Sequence, residues 1–310
     1  MKTIIQSKKY RGMLSSIRFA GSKLLAFGIL YVISAILMEG ILILLYTVAG
    51  YDILHGELPA QKWSRLIQFY GFSGFTIITL LYVKLIEKKK LCEILLVWSK
   101  SNLVKFVSNL LKGCLLVALM IMLLTVLGLY QWKGFANMDP FFMFASFLAY
   151  LVQGSTEEIM CRGFLQNTLK VRLGLIPAIM ISTIAFVIPH LSSIAEMEGF
   201  LAITAVINVC LVSCLFSLVM SYEGSVLSAC GLHIGWNFML GVICGLEVSG
   251  ASGASISTGL LRITYGNSSP LLTGGSYGIE ASVLLIPLLA VLDILFIIKI
   301  RRKGVTYGIS

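Results

Sequence analysis

A run of about 20 apolar residues is long enough to cross a hydrocarbon core of roughly 30 Å. Eight such runs follow one another along this chain, at 24–50, 66–86, 110–130, 141–166, 174–194, 200–221, 225–246 and 280–300. No other feature narrows the fold as far. Lipid offers a backbone no hydrogen-bond partners, so each run must close its own ladder as a helix. The expected fold class is therefore all-α: a polytopic membrane helical bundle of about eight transmembrane helices, forming one integral membrane domain over residues 1–310. Composition agrees, since 58% hydrophobic and only 12% charged residues leave too little polar surface for a soluble fold.

The charges then orient the bundle. Six Lys and Arg precede residue 24, seven lie between Lys84 and Lys112, Lys170 and Arg172 follow the fourth run, and four close the chain from Lys299 to Lys303. With a cytoplasmic N-terminus and eight crossings all nineteen fall inside, while the outer segments hold only Lys62, Arg65, Lys133 and Arg262. This positive-inside asymmetry predicts that both termini are cytoplasmic. It also accounts for the net charge of +10 without nucleic acid, so the expected partner of the basic residues is the lipid bilayer. The first apolar run is too long for a signal peptide and is read as a retained span.

Three other features carry less. Seven cysteines (Cys92, Cys114, Cys161, Cys210, Cys214, Cys230 and Cys244) include no C-x-x-C pair and read as small packing residues. Residues 87–109, basic with interspersed Leu, Val, Trp98 and Phe106, read as a helix lying along the cytoplasmic surface. The Gly- and Ser-rich loop 247–279 has turn signals at Gly266-Asn267 and Gly274-Gly275 and a short glycosylation-type pattern at Asn267-Ser268-Ser269; no chemistry is assigned to it.

Ionisable groups inside a span cost several kcal/mol unless paired or hydrated. The fourth run nevertheless carries Glu157, Glu158 and Arg162. Glu158 and Arg162 are i,i+4 neighbours and can pair, whereas Glu157 points about 100° away and is left free to exchange a proton with water. The fifth run holds Phe186 and His190, and the seventh holds His233 and Asn237, again i,i+4. Singly, each His serves as readily as a satisfied buried polar residue. Together, Glu, His, His and Asn supply a base, a group to hold water and donors for an oxyanion.

E-E-x-x-x-R at 157–162, F-x-x-x-H at 186–190 and H-x-x-x-N at 233–237, in that order on separate spans, resemble the three motifs of the CAAX-protease and bacteriocin-processing family of intramembrane proteases. The resemblance covers about residues 141–246 and shows no departure at the motif positions. It implies an intramembrane endopeptidase that hydrolyses a bond near the C-terminus or leader of a membrane-associated or lipidated peptide or protein. Glu157 would act as general base, His190 would hold the water, and His233 and Asn237 would stabilise the oxyanion. Glu158, Arg162 and Phe186 would support the site, with Asn208 on the sixth run either lining the cavity or making an interhelical hydrogen bond. Which glutamate is the base is open at this stage. So is the metal question: no cofactor is implied, but Glu157, His190 and His233 are the set that a divalent ion such as Zn would use.

Two rival readings remain from the sequence, a non-catalytic scaffold or bacteriocin-immunity protein of the same fold, and a proton-coupled transporter. Short loops and the lack of organelle signals point to a bacterial plasma membrane. Depth is the one geometric conflict. Glu157 and His233 fall about 12–14 Å from the cytoplasmic ends of their spans and His190 about 24 Å. A fifth span kinked at Pro177 or Pro189, or begun earlier, would bring them level.

Overall fold

The computed structural model describes residues 2–250, 259–265 and 269–304. The glycosylation-type pattern and the turn signal at Gly266-Asn267 lie outside the described residues. Eleven helices appear in chain order: α1 Lys2–Val48, α2 Gln61–Leu81, α3 Lys100–Val126, α4 Pro140–Glu158, α5 Asn167–Leu173, α6 Leu175–Val187, α7 Leu191–Ala195, α8 Gly199–Glu223, α9 Val226–Phe238, α10 Pro270–Thr273 and α11 Leu285–Arg302. A two-stranded antiparallel ribbon joins β1 (Tyr130–Phe135) to β2 (Leu261–Tyr265), with Tyr130 opposite Tyr265 and Trp132 opposite Ile263.

Among the described residues six segments are long and apolar enough to cross a bilayer: Gly12–Val48, Trp63–Ile86, Lys100–Val126, Leu175–Ala195, Gly199–Glu223 and Val226–Ile243. The chain is a polytopic helical membrane protein. Helix also stands at the other two expected spans, 141–166 and 280–300, but with charges in it. The first holds Glu157, Glu158 and Arg162, and the second, starting at Leu285, holds Asp293, Lys299, Arg301 and Arg302.

Burial sorts the helices from rim to centre. α1 turns Leu25, Ile36, Leu44 and Val48 outward, as a lipid-facing helix should. In α9, by contrast, every residue from Val226 to Asn237 is buried. Its glycines explain how it gets so close to α3. A Cβ on Gly231 would lie 2.2 Å from the Phe106 carbonyl oxygen, and one on Gly235 would lie 2.0 Å from that of Leu110. Gly113 of α3 meets the Leu232 carbonyl in the same way. Lipid supplies no hydrophobic drive between helices, so this backbone-to-backbone contact is what seats α9 in the bundle.

Local sequence sets the ends of the site-bearing helices. Asp139 caps α4 by accepting the Phe141 N–H at 2.9 Å, with Pro140 in the first turn where its missing donor costs nothing. The helix then runs without a break through a π-helical segment, Ile159–Gln166, into α5, and stops at Gly174 with φ +82°. Pro189 ends α6: Ile188–His190 is a 3-10 turn leading into α7. A second π segment, Met239–Ile243, extends α9.

The surface helix expected over 87–109 is not present. Leu91–Ile94 forms a 3-10 turn, Ile94 and Leu96 are buried beneath the bundle, and α3 starts at Lys100, capped by Ser99. The apolar residues of this segment serve the interior instead. The Leu95 carbonyl accepts the N–H of Val226 at the start of α9.

Candidate active site

Glu157 and Glu158 end α4 as adjacent residues with opposite fates. Glu158 is fully buried, and its Oε1 accepts Arg162 Nη1 at 3.1 Å, one helical turn on. Arg162, equally buried, donates Nη2 to the Ser213 carbonyl at 3.0 Å and to Ser213 Oγ at 2.7 Å, tying the motif to α8. Its guanidinium lies 4.3 Å from the ring centroid of Phe186. A buried charge pair is tolerated only with such further partners.

His233 completes this group. Its Nδ1 lies 2.9 Å from Glu158 Oε1 and its ring stacks on Phe216 at 4.9 Å, with 19° between planes. A carboxylate oxygen can only accept, so Nδ1 carries the proton of this bond and Nε2 is the atom left to face Glu157, whose Oε2 is 3.9 Å away. Glu157, with 22% of its side chain exposed, receives Gln153 Nε2 on Oε1 at 2.5 Å. Gln153 Oε1 in turn accepts Asn237 Nδ2 at 3.2 Å. His190 donates Nδ1–H to the Phe186 carbonyl at 2.8 Å, which frees its Nε2. Phe186 stands between the imidazoles, 4.9 Å from His190 and 6.0 Å from His233.

Glu157, Phe186 and His190 lie where two cavities meet. One, of about 160 Å³, is lined by Gln153, Glu157, His190, His233 and Asn237 and extends to Arg65, Tyr150, Ser249 and Glu280. The other, of about 240 Å³, is walled by Phe27, Tyr31, Phe75, Met160 and Pro189 and is largely apolar. Phe164, Leu165 and Leu169, further along the same continuous helix, are fully buried.

The depth conflict resolves through helix length. Because α4, the π segment and α5 are continuous, Glu157 lies roughly 24 Å from the end at Leu173, and His190 lies roughly 22 Å from the start of α6 at Leu175. α6 does not begin earlier than expected, and Pro189 stands in a 3-10 turn, Ile188–His190, between α6 and α7. His233 reaches the same level because α9 starts inside the bundle. A Cβ on Gly163 would touch Val226 at 3.6 Å, and Glu157 and His233 lie about 9 and 10 Å further along their helices from that contact.

Asn208 is not part of the cavity wall, where α8 is represented by Val209, Val212 and Phe216. Its Nδ2 donates to the Ser282 carbonyl at 2.8 Å, the interhelical alternative, because its position on the helix turns it toward the segment before α11. The loop assigned no chemistry contributes Val248 and Ser249 to the wall. Ser249, with φ +53°, donates its N–H to Glu280 Oε2 at 2.5 Å, while Glu280 Oε1 accepts Trp236 Nε1 at 2.8 Å. Sequence reasoning missed Gln153, Arg65, Tyr150, Trp236 and Glu280. Only Gln153 left a signal there, at i−4 from Glu157 on one helix face.

Glu157, His190 and His233 do not form a ligand set: no group of three or more His, Cys, Asp or Glu side chains suited to a metal ion occurs among the described residues. One ring nitrogen of each histidine is already committed, to Phe186 and to Glu158. All seven cysteines are free.

Fold and site together define an integral membrane protein whose bundle buries a carboxylate–arginine–imidazole group beside a partly polar cavity. Residues 139–239 match the model of the Rce1-like type II CAAX prenyl endopeptidase family. The match ends two residues after Asn237 and spans all three motifs. The family is one of CAAX-type intramembrane endopeptidases, which implies a protein substrate. No curated relative and no solved structure matches the chain.

Proposed function

We propose that this protein is an intramembrane endopeptidase in which Glu157 activates water. The observation that carries the reading is the division of labour between adjacent carboxylates. Glu158 is consumed by Arg162 and His233, whereas Glu157 faces the cavity with Oε2 toward His233. Glu157 takes a proton from a water held by His190 Nε2, the resulting hydroxide attacks the scissile carbonyl, and Glu157 returns the proton to the departing amine. The oxyanion is received by the Nδ2–H that Asn237 does not donate to Gln153, beside the Nε2 edge of His233.

The apolar cavity beside Glu157 suits a membrane-embedded or lipidated stretch of a peptide, and the polar one suits the chain beyond the scissile bond. In a bacterial plasma membrane with both termini cytoplasmic, the polar cavity faces outward, as Arg65 starts α2 and Ser249 follows α9. Hydrolysis is the reading favoured over a scaffold or immunity role, because a scaffold has no use for a carboxylate kept free beside an oriented imidazole.

Comparative peptidomics of cells carrying the native protein or Glu157→Gln, with and without chelator, tests the reading. Peptides released only by the native protein are expected. Identical peptidomes at equal membrane expression would leave the scaffold, and flux across proteoliposomes that survives Glu157→Gln would favour the transporter.

A further inference from the structure

We infer that the protein binds a phospholipid of net negative headgroup away from the catalytic cavities, with the phosphate between Arg18 and Arg172 and an acyl chain laid along the outer face of α1. Arg18 of α1 and Arg172 of α5, with Leu14, Ser15, Phe19 and Ser22, line a groove of about 580 Å³. Arg172 is held in position there. Its Nη2 donates to Ser15 Oγ, and its guanidinium lies 5.1 Å from the ring centroid of Phe19. Neither arginine forms an ion pair among the described residues. The acids nearest this end of the bundle are engaged elsewhere, Glu87 by Lys23 and Lys89, and Glu93 Oε1 by the Lys90 N–H. Two guanidinium groups on one groove, with no acid in its lining, match a phosphate, which each can hold through parallel N–H donors.

The groove continues as a lipid tail would. Leu14, Arg18, Gly21, Leu25, Gly28 and Val32 follow one another at three- and four-residue spacing and so share one face of α1. Beyond Ser22 that face opens into a second groove of about 620 Å³, wholly apolar, with Leu24, Leu25, Ile29 and Val32 on its sides. Nothing lies within 4 Å of where a Cβ on Gly21 or Gly28 would stand, and Leu25, Ile29 and Val32 are exposed. From Gly21 to Ile33 the helix rises about 18 Å. One leaflet is about half of a hydrocarbon core of roughly 30 Å, so the apolar groove has the depth of an acyl chain whose phosphate is on the arginines. Free phosphate would leave that groove empty. A second copy of the chain is opposed by charge, because copies in one membrane run parallel and a two-fold contact along this stripe sets Arg18 against Arg18.

The test uses purified full-length protein, delipidated in a non-ionic detergent and titrated with dioleoyl phosphatidylglycerol, dioleoyl phosphatidylcholine or inorganic phosphate. Bound lipid is read by native mass spectrometry and by the shift of the thermal unfolding midpoint. Phosphatidylglycerol is expected to bind about thirtyfold more tightly than phosphatidylcholine at low salt, about fivefold for each arginine, with the midpoint unmoved by inorganic phosphate at the same concentration. Arg18→Gln and Arg172→Gln should each lower the preference about fivefold and together abolish it, while Arg172→Lys keeps part of it. Gly21→Leu fills the apolar groove without a clash and should weaken both lipids severalfold with their ratio unchanged. Equal affinity for the two lipids, or an undiminished preference in the double arginine variant, overturns the site. An equal midpoint shift with inorganic phosphate overturns the lipid as its occupant, and unchanged affinity in Gly21→Leu overturns the path of the chain. A dimer that retains no lipid and is lost in Gly21→Leu gives this face to a second copy and overturns the proposal. None of these readouts measures cleavage, so their failure leaves the peptidase reading untouched.

Discussion

His233 Nδ1 and Arg162 Nη1 meet on the same atom: both reach Glu158 Oε1, at 2.9 and 3.1 Å. One carboxylate oxygen therefore fixes the tautomer of an imidazole from α9 and the position of a guanidinium from the π segment. Glu157, next in sequence, is left to face the cavity. The adjacency of two acids is thus a device for placing one structural and one reactive group at the same depth.

Glu157→Gln and Glu158→Gln should separate cleanly. Loss of the general base is expected to lower the cleavage rate by about 10²–10⁴-fold, with thermal stability in detergent unchanged to within about 0.5 kcal/mol. Glu158→Gln leaves Arg162 buried without its counter-charge and should cost about 3–5 kcal/mol. Indistinguishable unfolding midpoints for the two variants would contradict the division of roles.

The pair should also behave as a coupled unit. Arg162→Met alone is expected to destabilise strongly, and adding Glu158→Gln should restore a substantial part of the lost stability, since the double variant strands no charge. Activity should stay low in the double variant because His233 loses its orienting carboxylate. Additive stability losses in the double-mutant cycle would refute the coupling.

Gly235→Ala tests the seat of α9. The new Cβ falls 2.0 Å from the Leu110 carbonyl oxygen, a backbone atom that cannot rotate away. A loss of about 1–3 kcal/mol is expected as α9 and α3 separate, together with lower activity as His233 and Asn237 shift. Gly28→Ala on α1, where nothing lies within 4 Å, is the control. It should be neutral or stabilising by up to about 1 kcal/mol. Equal behaviour of the two would mean that close approach does not hold α9.

Glu280→Ala removes the carboxylate that binds Ser249 to Trp236. Amide hydrogen exchange in 244–250 is expected to rise, most at Ser249, whose N–H loses its acceptor. Cleavage should slow by roughly tenfold, about the worth of one or two lost hydrogen bonds at about 1 kcal/mol each. Unchanged exchange at Ser249 would show that this loop is held by other contacts.

Prolonged dialysis against a chelator should leave the cleavage rate within about twofold, because Glu157, His190 and His233 do not converge as a ligand set. A rate lost to chelator and restored by Zn alone would reassign those three side chains.

The sequence by itself determined the lipid-facing character of the chain, because a polar backbone in hydrocarbon has one open-ended solution and successive apolar runs of sufficient length leave no other. It also determined which residues share a helix face. Glu158 with Arg162 and His233 with Asn237 are consequences of 3.6 residues per turn, legible before any tertiary contact exists. The tertiary structure decided everything that depends on how helices are offset. Continuity of α4 into α5 set the depth of Glu157, the Leu95 carbonyl beside buried Ile94 and Leu96 holds the start of α9, and the 3-10 turn at Pro189 follows α6 where His190 lines the cavity. Asn208 shows the same limit from the other side, since a polar residue at mid-span can face a cavity or a neighbouring backbone. Only the packing of α8 against Ser282 selected the second. Arg65, Glu280 and Trp236 left no local signal because their partners are distant in the chain. Helical periodicity fixes directions around one axis, and the heights and rotations of several axes relative to one another come from how the helices pack, through side chains and, at the glycines, backbone to backbone.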